Sequence, residues 1–166
     1  MIDKTVSDED RQAFVNAMRG VAHSVCVVTT SDASGRHGAT VSAFCSVSAD
    51  PPTALVCLNS ETRIAEQVLE NGRFNINILP ESAQFIAERF AGQHDNEVED
   101  RFDGIELRES ELPVINGATV FHCQVQQSVA AGTHHVIIGT VFESQREDVK
   151  PLTYLEGTYQ KVVEKN

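Results

Sequence analysis

Tryptophan is missing from this chain, and aromatic residues make up only 6% of it. Four cysteines are present, Cys26, Cys45, Cys57 and Cys123, and no two are spaced C-x-x-C. That spacing argues against a zinc site or a disulfide framework; each cysteine falls in an apolar, strand-like run and is expected as a buried, reduced thiol. Basic residues are scarce, with 13 Lys and Arg against 24 Asp and Glu and a net charge of −11. Nucleic acid and anionic membrane both need clustered cations, so neither is an expected partner. No window approaches the roughly 18 apolar residues of a membrane span, and M-I-D-K-T-V-S-D-E-D carries no apolar signal segment, so a cytoplasmic protein is expected.

Familiar catalytic signatures are missing as well. There is no G-x-G-x-x-G after a strand, no G-x-x-x-x-G-K-[ST], no G-x-S-x-G and no H-E-x-x-H. His134 and His135 are adjacent, and neighbours on a strand point to opposite faces, so no metal site is expected from them. Acidic residues concentrate in 95–111, where a solvated loop explains them. Any chemistry is therefore expected to belong to a bound cofactor, with the protein supplying position and electrostatics.

What is present reads as one domain over residues 1–166, with ordinary proportions of hydrophobic (41%) and charged (22%) residues. Ser7 followed by Asp8, Glu9 and Asp10 predicts a helix start, and Phe14, Ala17, Met18 and Val21 continue it as an amphipathic helix over 7–20. Residues 24–47 read as a hairpin closed by D-A-S-G (32–35). Asp50-Pro51-Pro52 stops its second strand. T-A-L-V-C-L-N (53–59) is apolar enough to predict burial on both faces. Helices are predicted over 61–72 and 82–92, stopped by Gly72 and Gly92, with the strand R-F-N-I-N-I-L (73–79) between them. An exposed acidic loop over 93–104 follows, then strands over 118–127, 133–142, 152–155 and 158–163. Strands dominate without a regular βαβ rhythm, so the expected class is mainly β, a β-rich α+β fold built as a closed or split β-barrel with a few decorating helices.

The stretch H-G-A-T-V-S-A-F-C-S-V-S-A-D-P-P (37–52) is the unusual one. Val41, Phe44 and Val47 are apolar, yet Thr40, Ser42, Ser46 and Ser48 put a row of short hydroxyls among them. A half-exposed strand with a polar outer face would account for them; so would a ligand.

This stretch, with F-V-N-A-M-R-G-V-A-H-S-V-C-V-V-T-T (14–30) before it, resembles the short-chain flavin reductase family. That family is the FMN-binding split-barrel group serving two-component flavin monooxygenases, such as the phenol and 4-hydroxyphenylacetate hydroxylases. The resemblance continues in order through L-V-C-L-N (55–59), F-N-I-N-I-L (74–79), R-F-A-G (89–92), A-G-T-H-H-V-I-I-G-T-V (131–141) and G-T-Y (157–159). It implies that Thr40, Val41, Ser42 and Ala43 present backbone groups to the polar edge of an isoalloxazine, and that Ser46 and Ser48 lie near its ribityl chain and phosphate. Ser60 and Arg63 match a second, phosphate-side segment, and Val47, Cys57, Leu58 and Phe90 fall within the matching cofactor-binding stretches. His134 matches a histidine near nicotinamide and flavin, although Thr133 stands where the family commonly has Asp. Tyr159 matches an aromatic residue of the nicotinamide side. The resemblance thus implies a homodimer that binds FMN or FAD, oxidises NADH or NADPH and hands reduced flavin to an oxygenase component. The same barrel also suits a flavin-binding module without turnover, or an enzyme of the pyridoxamine-phosphate-oxidase type with fixed FMN.

Overall fold

The structure is a computed structural model that describes residues 6–165. It opens with helix α1 (Asp8–Arg19), capped as expected: Ser7 Oγ accepts from the Asp10 backbone N–H at 3.1 Å, and the Asp10 carboxylate reaches back to the Ser7 N–H. The apolar stripe of α1, however, has no partner among the described residues. Phe14 is 66% exposed, Val15, Met18 and Val21 are exposed with it, and no residue of the helix is buried.

The body of the protein is an antiparallel sheet of seven strands. In chain order these are β2 (Cys26–Asp32), β3 (Gly35–Val41), β4 (Phe44–Ala49), β5 (Pro52–Asn59), β6 (Arg73–Ile78), β9 (Thr119–Ala131) and β10 (His134–Gln145), arranged β3-β2-β6-β9-β10-β5-β4. A second sheet of three strands joins β1 (His23–Ser24), β11 (Leu152–Leu155) and β12 (Thr158–Lys161), and β7 (Leu107–Arg108) pairs with β8 (Val114–Ile115). Helices α2 (Arg63–Asn71) and α3 (Gln84–Phe90) complete the fold. Thr62 caps α2, and Gly72 ends it in the left-handed region at φ 71°.

The strand order has a geometric consequence. β3 and β4 are consecutive in the chain, yet they form opposite edges of the large sheet. Only Ser42 and Ala43 separate them, and three trans peptide steps span at most about 11 Å. The sheet therefore curls until its edges nearly meet, and the Cys57 N–H on β5 donates to Ala43 O at 3.0 Å, carrying the β4–β5 ladder up to the crossing. This is the split of the barrel, and it corrects the expectation of one continuous strand over 37–47: the hairpin is β2–β3, and the chain then changes edge.

Two apolar clusters fill the structure. One gathers Val28, Val56, Ile64, Val68, Phe74 and Ile137 under α2. The other gathers Val27, Leu79, Ala87, Phe90, Phe102 and Ile115 under α3. Asn75 and Asn77, on the polar side of the alternating strand β6, are 1% and 0% exposed because residues 112–115 cover them. Asn77 Nδ2 donates to Val27 O (3.0 Å) and Thr29 Oγ1 (3.1 Å), and its Oδ1 accepts from the Ile115 N–H at 2.9 Å. These bonds offset the burial of the Asn77 amide; Asn75 Nδ2 donates to Leu112 O (3.2 Å) and Pro113 O (3.1 Å), while its Oδ1 is buried with no partner among the described residues.

Three further expectations are corrected. β5 is buried on one face only: Ala54, Val56 and Leu58 point inward, while Leu55 and Cys57 lie half-exposed on the other face. For the same reason Cys45 is exposed and Cys57 partly so, whereas Cys26 and Cys123 are buried as expected. The acidic segment 93–104 is anchored by Phe102, 2% exposed, and by Arg101, which bonds Asp95 through two nitrogens (2.8 and 2.7 Å) and donates to Phe90 O at 3.1 Å.

Candidate flavin site

The hydroxyl-rich stretch occupies the two free edges of the sheet. β3 pairs only with β2 in the sheet, and β4 only with β5. Each edge presents backbone N–H and C=O groups that no neighbouring strand takes up, a row of fixed donors and acceptors. Thr40, Val41, Ser42 and Ala43 sit where the chain passes between these edges. Thr40 directs its hydroxyl away to α3, donating to Ala87 O at 2.7 Å. What its stretch offers a ligand is therefore backbone.

On β4 the two serines differ. Ser46 is exposed, and its hydroxyl makes no hydrogen bond among the described residues. Ser48 closes its own turn, donating to Asp50 O at 3.0 Å and accepting from the Asp50 N–H at 3.1 Å. The register shifts between Ser46 and Ser48, so Val47 bulges from the ladder and is 51% exposed.

The second segment is tied to the first through β5. Cys57 pairs with Val136, Leu58 with His135 and Asn59 with His134. Ser60 bonds Thr133 O through both its N–H and its hydroxyl, each at 3.0 Å. This clamps the start of α2 to the start of β10, so Ala43, Cys57, Ser60 and His134 form one connected end of the barrel. Leu58 points inward and is 1% exposed. His134 is exposed, with Nδ1 2.9 Å from Thr133 Oγ1, and His135 lies on the opposite, half-buried face. Arg63 is the first residue of α2 and makes no ion pair among the described residues; its Nη2 stands 3.5 Å from Ser34 Oγ. A cation beside the free N–H groups of a helix start suits an anion such as phosphate.

Phe90 and Tyr159 belong to the other apolar cluster. Phe90 is 1% exposed and packs edge-on against Phe102 with ring centres 4.7 Å apart, so it shapes the barrel wall and offers no free surface. Tyr159 is half-buried and edge-on to Tyr154 at 5.3 Å. Burial raises the pKa of its hydroxyl, and the nearby Glu88 carboxylate and Tyr154 add to the effect. Glu88 follows Ala87, the acceptor of Thr40, so Tyr159 and Thr40 both border α3.

Thr62, the cap of α2, was not among the expected site residues; a threonine three residues before Ala65 was its signal. Also unexpected is a hollow of about 980 Å³ on the far side of Arg63, walled by the tip of the β2–β3 hairpin and by residues 99–102. Unpaired edge backbone, an unbonded serine hydroxyl and an uncommitted arginine together fit a flat heterocycle carrying a phosphate.

The comparisons with known proteins agree in kind. Residues 18–162 match the model of the flavin reductase like domain. A probable flavin reductase from Rhizobium meliloti is 38% identical over 154 residues, covering 90% of this chain; the chain spans 48% of that protein's length. The FMN reductase (NADH) RutF of Cronobacter sakazakii is 34% identical over 154 residues, covering 90% of this chain and 92% of the relative. The reductase component of the 4-hydroxyphenylacetate 3-monooxygenase of Salmonella typhimurium is 35% identical over 134 residues, 79% of each. Among solved structures, the flavin reductase PheA2 superposes with a TM-score of 0.85 at 32% identity, covering 93% of this chain and 99% of that one. A family match over residues 18–162, on a split barrel with free edges at the matching strands, establishes that this chain belongs to the flavin reductase-like domain family.

Proposed function

We propose that this protein is an NADH-dependent flavin reductase whose reduced flavin serves a separate oxygenase. The observation that carries the reading is the pair of free sheet edges meeting at Thr40–Ala43, beside the clamped Ser60–Thr133 contact and the unpaired Arg63. Backbone at the edges orients the ring, Ser46 and Arg63 hold the phosphate, and His134 at the mouth positions the nicotinamide. Bound flavin supplies a two-electron acceptor for the hydride of NADH. No acid or base is required of the chain for that transfer, so alignment and exclusion of water are its contribution. A single uncommitted cation at the phosphate, among the described residues, suits a flavin that is released after reduction. The relatives named as an NADH-dependent FMN reductase and as a monooxygenase component support both halves of the reading.

The active form is a homodimer. The uncovered stripe of α1 and the outward face of the sheet, where Leu55, Cys57, Val136, Ile138 and Val129 lie side by side, are apolar surfaces that a second copy would bury. Sedimentation should give about twice 18.2 kDa. A cytoplasmic location accords with the exposed free thiol of Cys45.

The direct test is the decay of NADH absorbance at 340 nm with and without added flavin. Decay that rises with added FMN or FAD supports the reductase. Flavin binding without NADH oxidation would leave a binding module, and a rate indifferent to added flavin would indicate a fixed prosthetic group.

A further inference from the structure

We infer that the hollow between the β2–β3 hairpin and the start of α2 is a subsite for an adenosine 5′-phosphate group, which makes FAD rather than FMN the preferred flavin. The inference rests on the flavin-reductase reading above and specifies its ligand.

Position comes first. The hollow is walled on one side by β3 as far as Ala39, the residue before Thr40, and on the other by Thr62 and Arg63. Both walls run directly into the segments assigned to the flavin ring and its phosphate. A flavin that ends at its phosphate stops at Arg63; one that continues enters a space of about 980 Å³, at the upper end of what ligand pockets enclose.

The charges of the hollow then restrict what continues. Arg36 is bound to Asp100 (2.7 Å) and faces Asp103 (3.7 Å), Arg101 is bound to Asp95 (2.7 Å), and His37 Nε2 lies 3.6 Å from Asp32. Among the described residues that line the hollow, Arg63 is the cation left without a carboxylate. Phosphate is therefore attracted at that end and nowhere further in. Beyond it, the Asp32 and Glu99 carboxylates accept hydrogen bonds from ribose hydroxyls or an exocyclic amine, and they repel additional phosphates. The Arg36 guanidinium lies 4.9 Å from the centre of the Phe102 ring, and its side chain is 39% exposed, leaving one planar face on which a purine can stack. A group with one phosphate end and a neutral, donor-bearing heteroaromatic end fits this distribution.

The test is a titration of the protein with FMN and with FAD in the absence of NADH, repeated with excess adenosine 5′-monophosphate and with Ser34→Trp. Ser34 is exposed at the hairpin tip and lines the hollow, so a tryptophan there would obstruct it. The expected result is a Kd for FAD at least 10-fold below that for FMN. Adenosine 5′-monophosphate should weaken FAD binding by a clearly larger factor than FMN binding, with which it shares only the phosphate contact of Arg63, a comparison that needs no variant. Ser34→Trp should raise the FAD Kd to the FMN value while the FMN Kd stays constant. Equal affinities for the two flavins, or no effect of adenosine 5′-monophosphate on FAD, would overturn the inference. So would a Ser34→Trp effect confined to the KM for NADH, which would give the hollow to the pyridine nucleotide. Failure of the unmodified protein to bind either flavin would instead overturn the reductase reading, and this inference with it.

Discussion

Gly38 on β3 faces the ring of Phe90 on α3 so closely that a Cβ at position 38 would stand 2.8 Å from Phe90 Cε1 and 3.2 Å from Phe102 Cζ. This contact seats α3 on the edge strand, two residues before Thr40, and lets the Thr40 hydroxyl reach Ala87 O. Phe90 thereby influences the proposed ring-binding backbone while remaining buried itself.

Gly38→Ala should destabilise the protein by about 1–3 kcal/mol, the usual range for overpacking a tight core. Urea denaturation checks it. Combining it with Phe90→Leu should recover part of the loss, because the smaller side chain vacates the space the methyl group needs. Strict additivity of the two changes would refute the contact.

Asn77→Ala should be among the more damaging single substitutions. It leaves the buried Ile115 N–H and Val27 O without their side-chain partner, and each uncompensated group costs about 1–3 kcal/mol. The melting midpoint should fall well below that of Asn16→Ala, a change on the exposed face of α1.

Arg63→Gln should weaken flavin binding by about 10-fold, as loss of a charge-assisted contact of roughly 1.4 kcal/mol requires. Its melting midpoint should not move, since Arg63 makes no ion pair among the described residues. His134→Ala should raise the KM for NADH or lower kcat while leaving the flavin Kd of the NADH-free protein unchanged. A flavin Kd that rises in parallel with the KM would make His134 structural.

The Arg101 guanidinium, hydrogen-bonded to Asp95, holds that carboxylate below its usual range. A depressed folded-state pKa means that the pair stabilises the fold above the unfolded value, near 4, and that the contribution is lost as pH falls through the folded one. The stability difference between the parent protein and Asp95→Asn should therefore be present at pH 7 and shrink toward zero under acid conditions. A difference that is constant with pH would show that the neutral amide loses something other than charge.

Thiol reactivity should separate the four cysteines. Burial pushes the Cys26 and Cys123 thiols up to about 12, and it raises Cys57 as well. At pH 8 a disulfide reagent should modify one thiol rapidly, that of exposed Cys45, and all four only in denaturant.

Much of the architecture was legible in the residue pattern. The capped start of α1 at Ser7, the stop of α2 at Gly72 and the alternating strand β6 all depend on neighbours a few positions away, where local backbone chemistry decides the outcome. The ordered motifs carried the family as well, because they fix residue types along nearly the whole chain. The break at Ser42–Ala43 was not legible. Nothing local distinguishes those two residues from a continuing strand; the chain leaves the ladder there because the curled sheet brings β3 and β4 to opposite edges. Burial on the two faces of β5 was equally undecided, since an apolar strand reads the same whether its second face meets core or surface. The pairing of Arg36 with Asp100 and of Arg101 with Asp95, which leaves Arg63 uncommitted, depends on where distant segments meet. Short-range patterning therefore determined the elements and the family. Only the closure of the sheet decided which backbone groups stay unpaired and which charge stays free, because both depend on contacts between residues far apart in the chain.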